Sequence, residues 1–381
     1  MEPLCPQTAG EVAEILACAA KDVKTIGLGG RFTKNRMAGP VAPADVLVST
    51  AALQRVLKFE PRDLTISVEA GLPFAELCRI LDEHQLMIPL DPPFATEATT
   101  GGVVASNLSG PRRRLYGTAR DMVIGMRFAT LEGKLVDSGG MVVKNVAGLD
   151  MSKLMIGSFG TLAAITHVNF KLVPKPARSR TFLMAFDSLE AAVEMRDAVH
   201  GGVLQPVAMD LLNAKAAELL QRAGHVLAIQ AGGNPAVIER YSRELPQAEA
   251  LDGEQEAAFW RSVQDFTPRF LRDRPEGAVV RVSTLLAQLK GAMKSMRVPA
   301  LARAGSGICY GYFPDADQAA SWISEAAKCG WHGIVEFAPE ARKAALDLWP
   351  QPGSDYEIMK RVKGLFDPGH LLNRGRLYGR I

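Results

Sequence analysis

The chain is poor in the residues that staple or metallate a fold. Its cysteines, Cys5, Cys18, Cys78, Cys309 and Cys329, are odd in number and none is in a CxxC spacing. Neither a disulfide framework nor a cysteine-held zinc or iron–sulfur site is expected from that pattern, and it suits a reducing, cytoplasmic setting. The histidines His84, His167, His200, His225, His332 and His370 include no close pair, so no metal is expected. An excess of one charge is also missing: 44 basic residues face 41 acidic ones, a formal net charge of +3. No global field gathers nucleic acid, and the Arg112, Arg113, Arg114 run is only a local basic cluster. Long apolar runs are absent as well, and the opening MEPLCPQTAGEVAEIL has no basic segment leading into one. No direct membrane insertion is expected.

What the chain does have is glycine, 35 of them. They concentrate with hydroxyl and small residues in the stretch 99–166, which holds TTGGVVASNLSG (99–110), YG (116–117), KNVAGLD (144–150) and GSFGTLAAIT (157–166). Glycine lets main chain approach a ligand closely and take unusual dihedrals, as a large anionic cofactor requires. An earlier turn, GLGGRF at 27–32, follows an apolar run, but Phe32 stands where the dinucleotide fingerprint needs its third glycine. No helix start follows it, and the glycine–lysine–hydroxyl ending of a nucleotide-hydrolysing loop is missing. The two turns 27–30 and 101–102 are instead placed to aim amides at a pyrophosphate, with Thr33, Ser106 and Ser109 adding hydroxyls and Arg31 a cation.

Periodicity predicts a helix over 11–20, strands at 23–30, 45–50 and 64–71, and a helix over 74–84. MIPLDPPF (87–94) reads as a rigid extended loop. A hairpin joins 122–130 to 134–140, and a strand fills 166–176. From about residue 178 to 337 strands and helices alternate, which predicts a second, α/β domain. The tail 364–377 is dense in turns but carries Phe366, Leu371 and Leu372, so it is expected to dock rather than fray. The expected fold class is α+β with boundaries at 1–176, 177–340 and 341–381.

The motifs GLGGRFTKN, the DP of PLDPP, TTGGVVASN, RLYGTARDMV, VKNVAGLDMSKLMIGSFGTLAAIT and FDPGHLLNRGRL together resemble the vanillyl-alcohol-oxidase-like, PCMH-type FAD-binding flavoproteins. The resemblance covers the first 175 or so residues and the tail. It is nearest to the flavin subunits of bacterial glycolate-oxidising complexes. It implies a two-part FAD-binding domain with an α/β cap domain for substrate. Carried over by residue, Leu28, Gly29, Gly30, Arg31, Phe32 and Thr33 wrap the pyrophosphate, with Leu90 and Asp91 flanking it. Thr100, Gly101, Gly102, Ser106 and Asn107 hold ribityl and phosphate groups, and Tyr116 and Gly117 lie beside the flavin. Gly160, Thr161 and Ile165 meet the adenine side and the ring support, with Asn373 and Arg376 in the tail.

Many relatives attach FAD to a histidine in the first glycine turn. Gly30, Arg31 and Phe32 occupy that region here, so the resemblance implies non-covalent FAD. It also implies a flavin subunit of a glycolate or D-2-hydroxy-acid oxidising complex, working with a larger paralogous flavin chain and an iron–sulfur chain. Such a chain is cytoplasmic, and peripheral at the inner membrane only through partners. Arg114, with Arg112, is the expected carboxylate contact, Tyr116 faces the flavin, and His332 is the candidate base. The alternatives are a self-sufficient FAD enzyme acting on an alcohol or sugar acid, and an electron-relay or assembly subunit without a substrate pocket.

Overall fold

Helix α1 (Ala9–Lys21) starts where Thr8 accepts a hydrogen bond from the Glu11 amide. It buries Val12, Ala13, Leu16 and Ala19 among Ile26, Val48, Leu53, Ala129, Leu131, Ala164 and Leu372. Each large aliphatic side chain so enclosed contributes about 1.5–3 kcal/mol. The computed structural model describes residues 2–141 and 149–381. Residues 144–148 of the KNVAGLD match therefore lie outside the described residues.

The chain divides into two units. The first comprises Met1–Leu108, Thr118–Lys175 and Pro352–Ile381, and the second Ser109–Gly117 and Pro176–Gln351. In the first unit, β1 (Ile26–Gly29) pairs in parallel with β2 (Val46–Ser49). The strands β3 (Val56–Glu60), β4 (Thr65–Glu69), β6 (Val123–Ala129), β7 (Leu135–Gly139) and β8 (Ala164–Lys171) form a second, five-stranded sheet. Its order is β3-β4-β8-β6-β7, antiparallel throughout. A short antiparallel pair, β5 (Leu86–Met87) and β9 (Val173–Pro174), completes the strands of this unit. Helix α2 (Phe74–Asp82) follows Pro73, where a missing amide costs little.

Two features differ from the sequence expectation. Strand β3 has mostly exposed side chains, so no apolar alternation announces it. The turn expected at 101–102 is instead part of a helix, α3 (Thr100–Ser106), capped by Thr99 and closed by Asn107 in the left-handed region. Its glycines serve packing: a Cβ at Gly101 would sit 2.7 Å from the Ala70 Cβ. That close seat overrides the low helix propensity of glycine.

The second unit is built on an eight-stranded sheet of β10 (Arg178–Phe186), β11 (Ala208–Leu212), β12 (His225–Gly233), β13 (Glu249–Leu251), β14 (Ala278–Ser283), β15 (Ala300–Arg303), β16 (Ile308–Phe313) and β17 (His332–Phe337). The order is β13-β10-β12-β11-β15-β16-β14-β17 and every pairing is antiparallel. The strand–helix rhythm read from the sequence is present, without the parallel pairing such a rhythm often accompanies.

Candidate functional site

Strands β1 and β2 end together, and their ends shape the first glycine turn. The Ser49 hydroxyl donates to the Gly30 carbonyl at 2.8 Å, and the Thr50 amide donates to the Gly29 carbonyl at 2.9 Å. Opposite the turn is Thr99, the α3 cap, whose hydroxyl accepts from the Gly102 amide at 3.2 Å. The fit is tight: a Cβ at Gly30 would sit 2.2 Å from the Thr99 Oγ1. Together these elements border an open cleft within the first unit.

The cleft gathers most of the residues that the sequence assigns to the cofactor. Leu28, Gly29, Gly30, Arg31, Phe32, Thr33, Gly101, Gly102, Ser106, Gly160, Ile165 and Asn373 all line it. Others are placed elsewhere. Leu90 is buried and Asp91 half-buried, and neither lines the cleft. Thr100 is enclosed and donates to the Leu72 carbonyl at 2.9 Å, while Thr161 donates to the Ser158 carbonyl at 2.8 Å. Both hydroxyls serve the fold. Asn107 closes α3, and Ser106 donates back to the Gly102 carbonyl at 2.7 Å, offering a ligand only its lone pairs. Ser109, Tyr116 and Gly117 group with the second unit.

Asn373 is the hub of the cleft floor. Its carbonyl oxygen accepts from the Leu28 amide at 2.7 Å, and its amide nitrogen donates to the carbonyls of Leu28 at 3.0 Å and Phe159 at 2.8 Å. Arg376 holds the next loop, donating to the carbonyls of Gly39 and, at 3.0 Å, Lys34. The tail is itself clasped: the buried Lys363 amine donates to Asp367 at 2.6 Å and to the carbonyls of Thr161 at 2.7 Å and Leu372 at 3.0 Å. Asp367 in turn accepts from the Leu371 amide at 2.9 Å and the Leu372 amide at 2.8 Å.

Sequence reasoning missed Lys34, although it ends the GLGGRFTK run and lines the cleft. A cation just past a glycine turn was the available signal. Its amine has a long contact to Thr33 Oγ1 at 3.4 Å. Burial pulls its pKa down to about 8, with Glu97 opposing the shift. Glycine-turn backbone, a desolvated amine and an apolar wall that includes Leu28, Leu47, Phe159 and Ile165 suit a ligand combining an anionic diphosphate with flat rings. FAD is such a ligand, and Lys34 and the turn 28–33 would hold its anionic part.

A pH dependence follows. Unliganded protein loses the Lys34 proton above about pH 8, while a bound diphosphate favours the protonated form. FAD binding above that pH therefore takes up a proton, and Kd is expected to rise by up to about tenfold per pH unit. In Lys34→Met the alkaline rise should vanish and Kd at pH 7 should be weaker. Fluorescence titration of apoprotein with FAD from pH 6.5 to 9.5 checks both.

The catalytic candidates lie in the second unit. Arg114 donates to the Pro206 carbonyl at 2.8 Å and to Gln205 at 3.2 Å, while its buried Nε has no partner. His332 is exposed at the first residue of β17. Among the described residues no group of three or more histidine, cysteine, aspartate or glutamate side chains is placed to hold a metal ion. No helix among them is long and apolar enough to cross a membrane.

Comparison with known proteins agrees with this geometry. Residues 4–139 match the FAD binding domain family, and residues 351–377 match the C-terminal domain of FAD linked oxidases. Glycolate oxidase subunit GlcE of Escherichia coli (strain K12) is 38% identical over 143 residues, 37% of this chain and 41% of that protein. Glycolate oxidase subunit GlcD of Bacillus subtilis (strain 168) is 25% identical over 427 residues, 99% of this chain and 88% of that protein. The match thus spans less than half the length of GlcE but most of GlcD. Among solved structures, p-cresol methylhydroxylase with substrate bound superposes with a TM-score of 0.79 at 14% identity, over 99% of this chain and 88% of that one. That likeness is one of fold.

These matches, carried on the α+β fold, make the chain an FAD-dependent oxidoreductase with a PCMH-type FAD-binding domain. Within that class the chain is related to the glycolate oxidase subunits GlcD and GlcE.

Proposed function

We propose that this chain oxidises a small 2-hydroxy acid, with FAD held non-covalently in the cleft of the first unit and a substrate half-site of its own. The observation that carries the reading is the cleft itself, where glycine turns, Lys34 and Asn373 converge. The relation to glycolate oxidase subunits supports the substrate class. Bound FAD supplies a two-electron acceptor for the substrate's α-carbon hydride. The chain's own part is to hold the cofactor by main-chain donors, to neutralise its diphosphate through Lys34, and to fix the substrate's carboxylate with an arginine. A second reading, a flavin subunit that passes electrons to partner chains, is favoured by the 38% identity to GlcE. An iron–sulfur chain and a larger flavin chain are the partners that reading proposes.

Anaerobic titration of the FAD-loaded protein with glycolate, D-lactate and neutral diols separates the two. Loss of the oxidised-flavin absorbance with one acid, and not with the diols, is the expected result. A flavin that every acid leaves oxidised and dithionite still reduces overturns the self-contained reading, and partners become the next search.

A further inference from the structure

Strand β10 begins with cations on a face that a helix covers further along. Side chains two apart on a strand share a face, and here that face reads Arg178, Arg180, Phe182. The helix Pro235–Glu244 packs against it. Phe182 stacks with Tyr241 of that helix, ring centres 5.8 Å apart, and both are buried. Two residues earlier, Arg180 donates to Asp252 at 2.7 Å and to the Ser242 hydroxyl at 3.4 Å. Two residues earlier again, Arg178 is exposed, and among the described residues its side chain has neither a hydrogen bond nor an ion pair.

Two features keep the space beside Arg178 open. Its register partner on β12 is Gly233, which brings no side chain. On the other flank β13 pairs only as far as Thr181, so no strand runs beside Arg178 and Arg180 there. The result is an open cleft, with the two strand arginines on one wall and Ile238, Glu239, Ser242 and Arg243 of the helix on another. Those four recur at the three- and four-residue steps of one helix face. Every lining residue belongs to the second unit.

The charges of the lining do not cancel. Asp252 answers Arg180. Arg243 is exposed like Arg178, and its side chain too has no hydrogen bond or ion pair among the described residues. Glu239 stands one turn before Arg243, a spacing that favours pairing, yet the two form no ion pair. Two unanswered guanidiniums, one from the strand and one from the helix, therefore line a single cleft beside a third that is already neutralised.

We propose that this cleft binds the phosphate group of a small ligand, with Arg178 and Arg243 as its two cations. A guanidinium presents a planar fork of donors that matches oxyanions. Forks arriving from a strand and from a helix suit a tetrahedral group, whose acceptor oxygens point in several directions, better than a flat carboxylate. Glu239 opposes the same anion and so limits its affinity. The site draws on neither the hydroxy-acid reading nor the flavin reaction, and stands or falls apart from them.

Calorimetry of the full-length, FAD-loaded protein tests it with inorganic phosphate as the probe, because bound FAD keeps the cleft of the first unit filled. Phosphate should bind, and nitrate, a flat monoanion, should bind about tenfold more weakly or worse. Arg178→Met and Arg243→Met should each weaken phosphate by about tenfold, the scale of one charge-assisted contact. Glu239→Gln should tighten it by about two- to fivefold, as removal of a like charge does, a gain that a merely structural role would not give. Unfolding midpoints should stay at the wild-type value, since all three side chains are exposed. Failure of the wild type to bind phosphate overturns the site, as does equal binding of nitrate. Undiminished binding in the double variant Arg178→Met, Arg243→Met, or no gain in Glu239→Gln, overturns it as well. Cosedimentation with phosphatidylglycerol vesicles, against phosphatidylcholine ones, then tells the source of the phosphate. Vesicle binding that the double variant loses assigns a lipid headgroup, and no vesicle binding assigns a free phosphate ester.

Discussion

Asp367→Ala is expected to lower stability by about 3–5 kcal/mol, the cost of stripping a buried charge of its partner. The variant leaves the Lys363 amine enclosed, with carbonyls of Thr161 and Leu372 as its remaining acceptors, and frees the amides of Leu371 and Leu372. The thermal midpoint should fall on the order of 10 °C, given the usual entropy of unfolding for a unit of this size. The double variant Lys363→Met, Asp367→Leu should lose much less than the sum of the two single changes, because no uncompensated charge remains. Differential scanning calorimetry of the single and double variants decides it. Additive losses would mean that the pair is not the clasp described.

The second large effect is on cofactor retention. Asn373→Ala removes the acceptor of the Leu28 amide and the donor to the carbonyls of Leu28 and Phe159. Each part-buried group left unpaired costs about 1–3 kcal/mol. Much of that should fall on the first glycine turn, because Leu28 and Phe159 both line the cleft. FAD affinity should drop by about 100-fold or more, and the protein should purify largely free of flavin. Asn373→Asp, which keeps the acceptor but loses both donations, should fall between. Equilibrium dialysis against FAD measures the three proteins side by side. Equal retention in all of them would assign Asn373 to the fold rather than to the cleft.

The cleft was legible in the sequence to the extent that its glycines and small residues sit in two short segments. Gly29, Gly30, Gly101 and Gly102 line it as that reading requires. Lys34 was passed over because spacing alone does not say which cations face the cleft, and both Arg31 and Lys34 line it. The helical state of α3 was hidden by its glycines, whose benefit is the close seat on Ala70. The Arg112, Arg113, Arg114 run posed a similar problem. Successive helical side chains point about 100° apart, so the contacts of neighbours need the helix axis, which puts Arg113 on Ser109 and Arg114 on Pro206 and Gln205. Least legible was the row of charged side chains Arg303, Arg281 and Glu336 on the sheet of the second unit. VVRVS, ALAR and IVEF each hold one charged residue inside an apolar strand, and only the order β15-β16-β14-β17 makes them neighbours.

The first unit is written in three pieces, and its last piece, Pro352–Ile381, supplies both the Asp367 clasp and Asn373. During synthesis all of the second unit leaves the ribosome before these residues do. Domains generally fold as they emerge, yet here the one begun first is completed last. FAD is therefore taken up only after these residues have emerged, and a chain lacking them would carry a folded second unit and a first-unit cleft without its floor.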